Sequence, residues 1–440
     1  MLTTAVATAR RLLRRLPFGI GTTVVILAIT MIASVGVVLA IGTPDRPANG
    51  YHYGQLRSYA HQPEVAWSIS NQTLPDYLSS DRIDIVGTHA GAWLLSYPAG
   101  IGRAYLMVER GTGRHLWTHP LRAGTGSCDV NADGIVGCAV NASSELASGF
   151  YLLDDDGNPG SAMPLDDTAL VTGVGSDFLR ISSSGYRVSM DRPDGHTLWS
   201  RSFARAATAK VLDDGLLQIS TSDAGRFIVD PASGSTKLHC TNCTITAFPT
   251  GITVEYPDPG NTIFESYAVT DGVLDTTRVA RVRGVRVLTG PSTMAVLTQT
   301  GDPQMQAMQG AYVVVDPAKA GARWQISDEE LSKANTRPCG TAVAFALKSR
   351  SRSIYSLADG THLGSLPAPA FSEPEENLDN LRCVGSSGGT LIVTSTSQIS
   401  AVDVAAGRFT WSVDVNGLVD SVDGYLVARE GTSLRVFAPN

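Results

Sequence analysis

Apolar and polar positions alternate in short runs along most of this 440-residue chain, and each run stops at a glycine or aspartate turn before alternation resumes. That pattern predicts strands joined as hairpins. Its clearest copies are Ala104 to Pro120 (AYLMVERGTGRHLWTHP), Tyr186 to Phe203 (YRVSMDRPDGHTLWSRSF), Ala311 to Ser327 (AYVVVDPAKAGARWQIS) and Gln398 to Val415 (QISAVDVAAGRFTWSVDV). In three of them a tryptophan stands four residues after the turn glycine: Gly113/Trp117, Gly195/Trp199 and Gly407/Trp411. The steps between Trp117, Trp199, Trp324 and Trp411 are 82, 125 and 87 residues. These are two, three and two periods of roughly 41 to 44, the range of a four-stranded propeller blade.

Degenerate copies fill the gaps at Phe150 to Met163, Arg226 to Leu238, Ser266 to Arg278 and Ser353 to Leu366, each preceded by two further apolar runs. Four strands per unit follow, and one such unit cannot bury both faces of its sheet, so units must stack around an axis. The ring has a visible means of closure. Ser433 to Phe437 (SLRVF) is a third strand with no fourth after it, while Val65 to Ile69 (VAWSI) is a lone tryptophan strand. Pairing the two removes both free edges. The fold class is therefore all-β, a propeller closed by its terminal strands. The literal repeat count is nine; about eight blades is the expectation, one weak repeat being read as an insertion, because propellers usually have about four to eight.

The frame of alternating strand, Asp, glycine turn and Trp resembles the pyrroloquinoline-quinone-type (PQQ-like) propeller repeat over residues 60 to 440. That superfamily includes quinoprotein alcohol dehydrogenases and the propeller lipoprotein of the outer-membrane β-barrel assembly machinery. The resemblance implies that the tryptophans are structural, docking between blades. The chain departs from both relatives. It lacks the adjacent cysteines expected of a quinoprotein dehydrogenase, and no cysteine ends its N-terminal apolar run, as a lipoprotein anchor requires.

That apolar run, Phe18 to Ile41, holds 24 residues without a charge, enough to span a bilayer. Arg10, Arg11, Arg14 and Arg15 precede it and no basic residue follows until Arg46, which keeps the short tail in the cytoplasm and sends the rest across. The organisation expected is a basic cytoplasmic tail (1–17), a transmembrane signal anchor (18–41), a flexible linker (42–62) and an extracytoplasmic propeller (63–440) in the plasma membrane. A cleavable signal peptide is the competing reading, but its apolar core is normally only about 7 to 15 residues.

All six cysteines lie beyond the anchor, an even number suited to an oxidising compartment. The repeat frame narrows their pairing to Cys128–Cys138 across a short hairpin, Cys240–Cys243 within one loop, and Cys339–Cys383 on equivalent first strands of adjacent units. Without the four anchor arginines, 30 basic residues face 41 acidic ones, a net charge of −11. Nucleic acid is excluded, since phosphate binding needs a basic face.

Three constellations are chemical candidates. Asp129, Asn131 and Asp133, followed by Gly134, match the first half of a calcium loop, but the twelfth position is Val140 rather than a bidentate glutamate. His115 and His119 flank Trp117 and, on a strand, would stand about 13 Å apart, too far to share a metal. Asp154, Asp155 and Asp156 run straight into Gly157 and read as a solvated turn. No His-Glu-x-x-His and no phosphate-cradling glycine loop occurs. No catalytic residue and no cofactor other than calcium is therefore expected.

Connections on one face are long: Asn141 to Gly149, Pro257 to Glu265, Gly301 to Gly310, Ser327 to Arg337 and Ala368 to Asn380. Two of them are acidic, giving a rim of Asp328, Glu329 and Glu330 with Glu373, Glu375, Glu376 and Asp379; Met305 and Met308 nearby add an adaptable apolar contact. Ser327 and Glu330 also fit a capping box at a helix start. The expected function is a membrane-anchored, non-catalytic protein-binding or scaffolding module of the cell envelope, its protein partner held on the long-loop face. A quinoprotein-like oxidoreductase and a calcium-dependent ligand or carbohydrate binder are the alternatives.

Overall fold

The computed structural model describes residues 51–440, apart from 78–80, 164–166, 213–214, 259–261, 271, 300–309, 320, 333–334 and 370–377. The tail, the expected transmembrane helix and residues 42–50 of the expected linker fall outside the described residues, as do Met305, Met308, Glu373, Glu375 and Glu376. Among the described residues no helix is long and apolar enough to cross a membrane.

The described strands form nine antiparallel sheets, eight of consecutive strands in order and the ninth completed by the first described strand. This is a nine-bladed propeller. The first strands of blades 1 to 9 are Asp84–His89, Cys128–Val130, Thr168–Val174, Ala207–Val211, Thr244–Phe248, Val285–Val287, Arg337–Cys339, Arg382–Ser387 and Leu418–Val422. The expected count of about eight is corrected to nine, because the weak repeat at Phe150 is a blade and not an insertion. Blade 2 has three regular strands, and its fourth position is reduced to isolated bridges from Met163 to Phe150 and from Pro159 to Leu153.

Closure follows the expected route. Val65–Ser70 completes blade 9 by pairing antiparallel with Ser433–Phe437, from Val65 opposite Phe437 to Ser70 opposite Ser433. The two chain ends are tied beyond this pairing. Ala438 N–H donates to Glu64 O at 2.8 Å, Asn440 Nδ2 to His61 O at 2.8 Å, and Asn440 N–H to Ser58 O at 3.0 Å.

The tryptophans hold blade to blade. Trp67 of blade 9 lies on Gly113 in the third-to-fourth turn of blade 1, and its Nε1 donates to Arg110 O at 2.7 Å. Trp199 lies on Gly234 and donates to Pro231 O at 2.7 Å; Trp324 lies on Gly360 and donates to Leu357 O at 2.9 Å. Trp117 lies on Gly157. A Cβ at Gly113 would come within 2.6 Å of the Trp67 ring, so the turn must carry glycine for the indole to seat. Trp411 faces the one blade whose third-to-fourth turn is cut by the chain ends, and its Nε1 donates instead to Tyr59 O at 3.0 Å. Residues before the closing strand thus stand in for the missing turn. One local expectation fails: Trp117 precedes the fourth strand of blade 1, Leu121–Gly124, instead of lying within a strand, so His115 and His119 do not share one face of a ladder.

All three expected disulfides form, with Cα–Cα separations of 4.1 Å for Cys128–Cys138, 6.0 Å for Cys240–Cys243 and 5.6 Å for Cys339–Cys383. The first joins directly opposed residues of a hairpin, and the last joins the first strands of blades 7 and 8.

Candidate functional site

The stretch expected to be a flexible stalk is not one from residue 51 onward; it belongs to the compact unit spanning Asn49–Asn440 and lies across the first-to-second turns of blades 6 to 9. Ser386 N–H donates to Gly54 O at 2.7 Å and Leu56 N–H to Ser386 O at 2.9 Å. Arg57 N–H donates to Gly424 O at 3.1 Å. The Arg57 guanidinium is stacked between the rings of Tyr51 and Tyr425, 4.5 and 4.4 Å from their centroids. The buried Tyr59 hydroxyl accepts from Leu426 N–H at 2.9 Å and donates to Phe437 O at 3.2 Å. Hydrogen bonds and aromatic burial on this scale outweigh the entropy that a polar linker would keep. The signal for this strap was present: Tyr51, Tyr53 and Tyr59 are three aromatics in a stretch read as solvated.

Beneath the strap, a cavity of about 890 Å³ occupies the axis. First strands from around the ring line it, through Thr88, Lys210, Thr246, Val384 and Ser421, and Tyr51 to Gly54 border it. Towards the other end of the axis an ion-pair chain crosses the closing seam. Arg382 Nη2 sits 3.2 Å from Asp420, Arg429 pairs with Asp420 and lies 3.8 Å from Asp84, and Arg103 Nη2 lies 3.1 Å from Asp84. Partly exposed pairs of this kind contribute little each, but they bind blades 8, 9 and 1 as one network.

Because the strap lies on the first-to-second turns, the second-to-third and blade-to-blade connections emerge on the opposite face. That long-loop face presents Ile101 (82% exposed), Leu418 (51%) and Tyr186 (49%). Glu329 and Glu330 are exposed there as well. The expected helix start at Ser327 does not form: a strand runs Ala322–Asp328, and Asp328 Oδ1 then accepts Glu330 N–H at 2.8 Å to make a turn. Asp379, expected in the acidic rim, pairs with the buried guanidinium of Arg352, so its charge is consumed in the blade 7–8 junction.

The calcium-loop residues are used as struts between blades. Asp129 Oδ1 accepts Val130 N–H at 2.8 Å, and Oδ2 accepts Gly173 N–H of blade 3 at 2.9 Å. Asn131 Oδ1 accepts Asp133 N–H and Ile135 N–H at 3.1 and 2.9 Å, while Nδ2 donates to Ser176 O at 2.7 Å. Among the described residues no group of three or more His, Cys, Asp or Glu is placed to hold a metal. Asp154 likewise accepts Asp156 and Asn158 N–H within its own turn.

Burial between the first strands of blades 1 and 3 pushes the Asp129 carboxyl up to about 6, against opposing hydrogen bonds from Gly173 and Val130. The folded protein then keeps a proton that the unfolded chain has released between about pH 4 and 6, so stability falls as pH rises through that window, by at most about 3 kcal/mol. Urea denaturation at pH 4, 5, 6 and 7 should show this decline in the wild type relative to Asp129→Asn; parallel curves would refute the strut.

No protein family and no curated protein matches this chain. Among solved structures, it is similar to BamB from Moraxella catarrhalis at 13% identity, covering 85% of this chain and 99% of that one with a TM-score of 0.42. The Dos1 propeller gives 8% identity, 86% and 95% coverage and a TM-score of 0.41. The computationally designed Ika8 protein gives 10% identity, 83% and 98% coverage and a TM-score of 0.39.

Proposed function

We propose that this chain is a membrane-anchored, extracytoplasmic propeller of the PQQ-like type that binds a protein partner through its long-loop face, without catalysis. The observation that carries this reading is the path of residues 51–57, which enter the ring across the first-to-second turns. These residues cover the first-to-second turns and leave the long-loop face uncovered by the strap. That face carries exposed Ile101, Tyr186 and Leu418, on blades 1, 3 and 9, and exposed Glu329 and Glu330 after blade 6, apolar and charged side chains of the kinds protein interfaces combine. Function on loops held by a rigid scaffold is the common arrangement.

The test is a crosslinking pull-down from membranes with wild type and with Glu329, Glu330, Glu375 and Glu376 changed to Lys. A specific protein recovered with wild type should drop at least tenfold with the variant, and a second variant, Ile101→Asp with Tyr186→Asp, should lose the same protein. Undiminished recovery with both variants would remove the long-loop face from consideration.

A further inference from the structure

Four seams of the ring are filled by an indole lying on the next blade's turn glycine. The seam between blades 2 and 3 is laid out in the same way but has no tryptophan. Its turn glycine, Gly195, has φ 86°, against 83° for Gly157, and in both turns the glycine N–H donates to the carbonyl three residues back. Gly157 and Gly234 are buried under Trp117 and Trp199, whereas Gly195 is exposed. Blade 2 offers Met163 at this place, and its sulfur would stand 3.6 Å from a Cβ at Gly195. A cleft of about 340 Å³ is left between Phe150, Met163, Arg180, Asp191 and the Gly195 turn.

We propose that this cleft receives an aromatic side chain, tryptophan above all, presented by a partner polypeptide. The walls suit a flat ring with one N–H donor. Arg180 lies over Phe150 at 5.4 Å, and Asp191 holds its Nε at 2.7 Å, so the guanidinium is charge-compensated and fixed with Phe150 as a stacking wall. In three filled seams the indole N–H donates to the carbonyl three residues before the turn glycine, that of Arg110, Pro231 or Leu357. The carbonyl three residues before Gly195 belongs to Arg192; it accepts Gly195 N–H, whereas the glycine N–H of those three turns donates one residue further back, and it has a second lone pair left. The cleft opens at a third-to-fourth turn, on the opposite side from the long loops, so it stands independently of the docking face proposed above.

The probe is N-acetyl-tryptophanamide, titrated against the propeller carrying ¹³C-methyl methionine, with N-acetyl-leucinamide as control. The Met163 methyl resonance should move upfield by ring current, saturably, with the tryptophan compound alone, and Gly195→Val should abolish the shift. A second variant, Met163→Trp, should seat its own indole in the cleft, giving a protected indole N–H signal and a higher melting temperature. An unmoved methyl, an equal response to the leucine compound, a shift that survives Gly195→Val, or a melting temperature unchanged or lowered in Met163→Trp would each overturn the proposal.

Discussion

Replacing Trp67 by alanine should cost about 3–5 kcal/mol of unfolding free energy, the range for truncating a buried large aromatic. Trp67 is 7% exposed, packs on Trp93 with ring centroids 5.9 Å apart, donates to Arg110 O, and sits on the only strand that closes the ring. Trp93 extends the same cluster across the seam, donating its Nε1 to Asp423 at 3.0 Å and meeting Tyr425 edge-on at 5.7 Å. A truncation here therefore loosens blade 9, blade 1 and the terminal pairing together. Trp199→Ala removes an equivalent indole that is only half-buried, at a seam where the chain is continuous, and should cost less. Midpoints of urea denaturation followed by circular dichroism measure both, with the slope checked for loss of two-state behaviour. Gly113→Ala supplies the control, because its Cβ would strike the Trp67 ring. In the Trp67→Ala background that steric conflict is gone and only the strain at φ 69° remains, so the two changes should cost less together than the sum of their separate effects. Equal losses for Trp67→Ala and Trp199→Ala would mean that closure adds nothing to what one seam contributes.

The ring was legible in the sequence because its determinants are local. An alternating strand, a glycine turn and a tryptophan four residues on occupy one stretch of chain, and the closing pair was visible as two incomplete blades at opposite ends. Blade number was harder. Blade 2 has lost the fourth strand and the tryptophan, keeping only the bridges to Pro159 and Met163, so nothing in Asp154 to Met163 alternates. The strap was misread because polar composition describes what a segment could do in isolation, whereas Arg57, Tyr59 and Gly54 are held by Tyr425, Leu426 and Ser386, more than 300 residues away. A contact outside the local pattern also hid the fate of Asp379, whose partner Arg352 stands 27 residues earlier on a blade 7 strand. The short Asp-x-Asn-x-Asp spacing that gathers oxygens around a cation also serves a tight hairpin whose side chains reach the neighbouring sheet.

Among the disulfides, Cys339–Cys383 should matter most. It closes 44 residues of sequence, against 10 for Cys128–Cys138 and 3 for Cys240–Cys243. The chain-entropy relation then assigns about 4, 2.7 and 1.6 kcal/mol respectively to the constraint on the unfolded state. The paired substitution Cys339→Ala with Cys383→Ala should accordingly lower the urea midpoint by more than twice the effect of Cys240→Ala with Cys243→Ala. The location adds a local consequence. Cys339 and Cys383 end close to Gly340, Gly385 and Ser386, and a Cβ at Gly385 would stand 2.3 Å from Gly54 O, so the bridge fixes the platform on which the strap is hydrogen-bonded. Without it, the amides of Leu56 and Ser386 should exchange with solvent faster, while those of Val65–Ser70 in the closing strand keep the protection set by global unfolding. Faster exchange confined to the strap would show that the disulfide holds the cover of the axial cavity in place. A uniform increase at both sites would assign its effect to the unfolded chain alone, as the entropic argument requires.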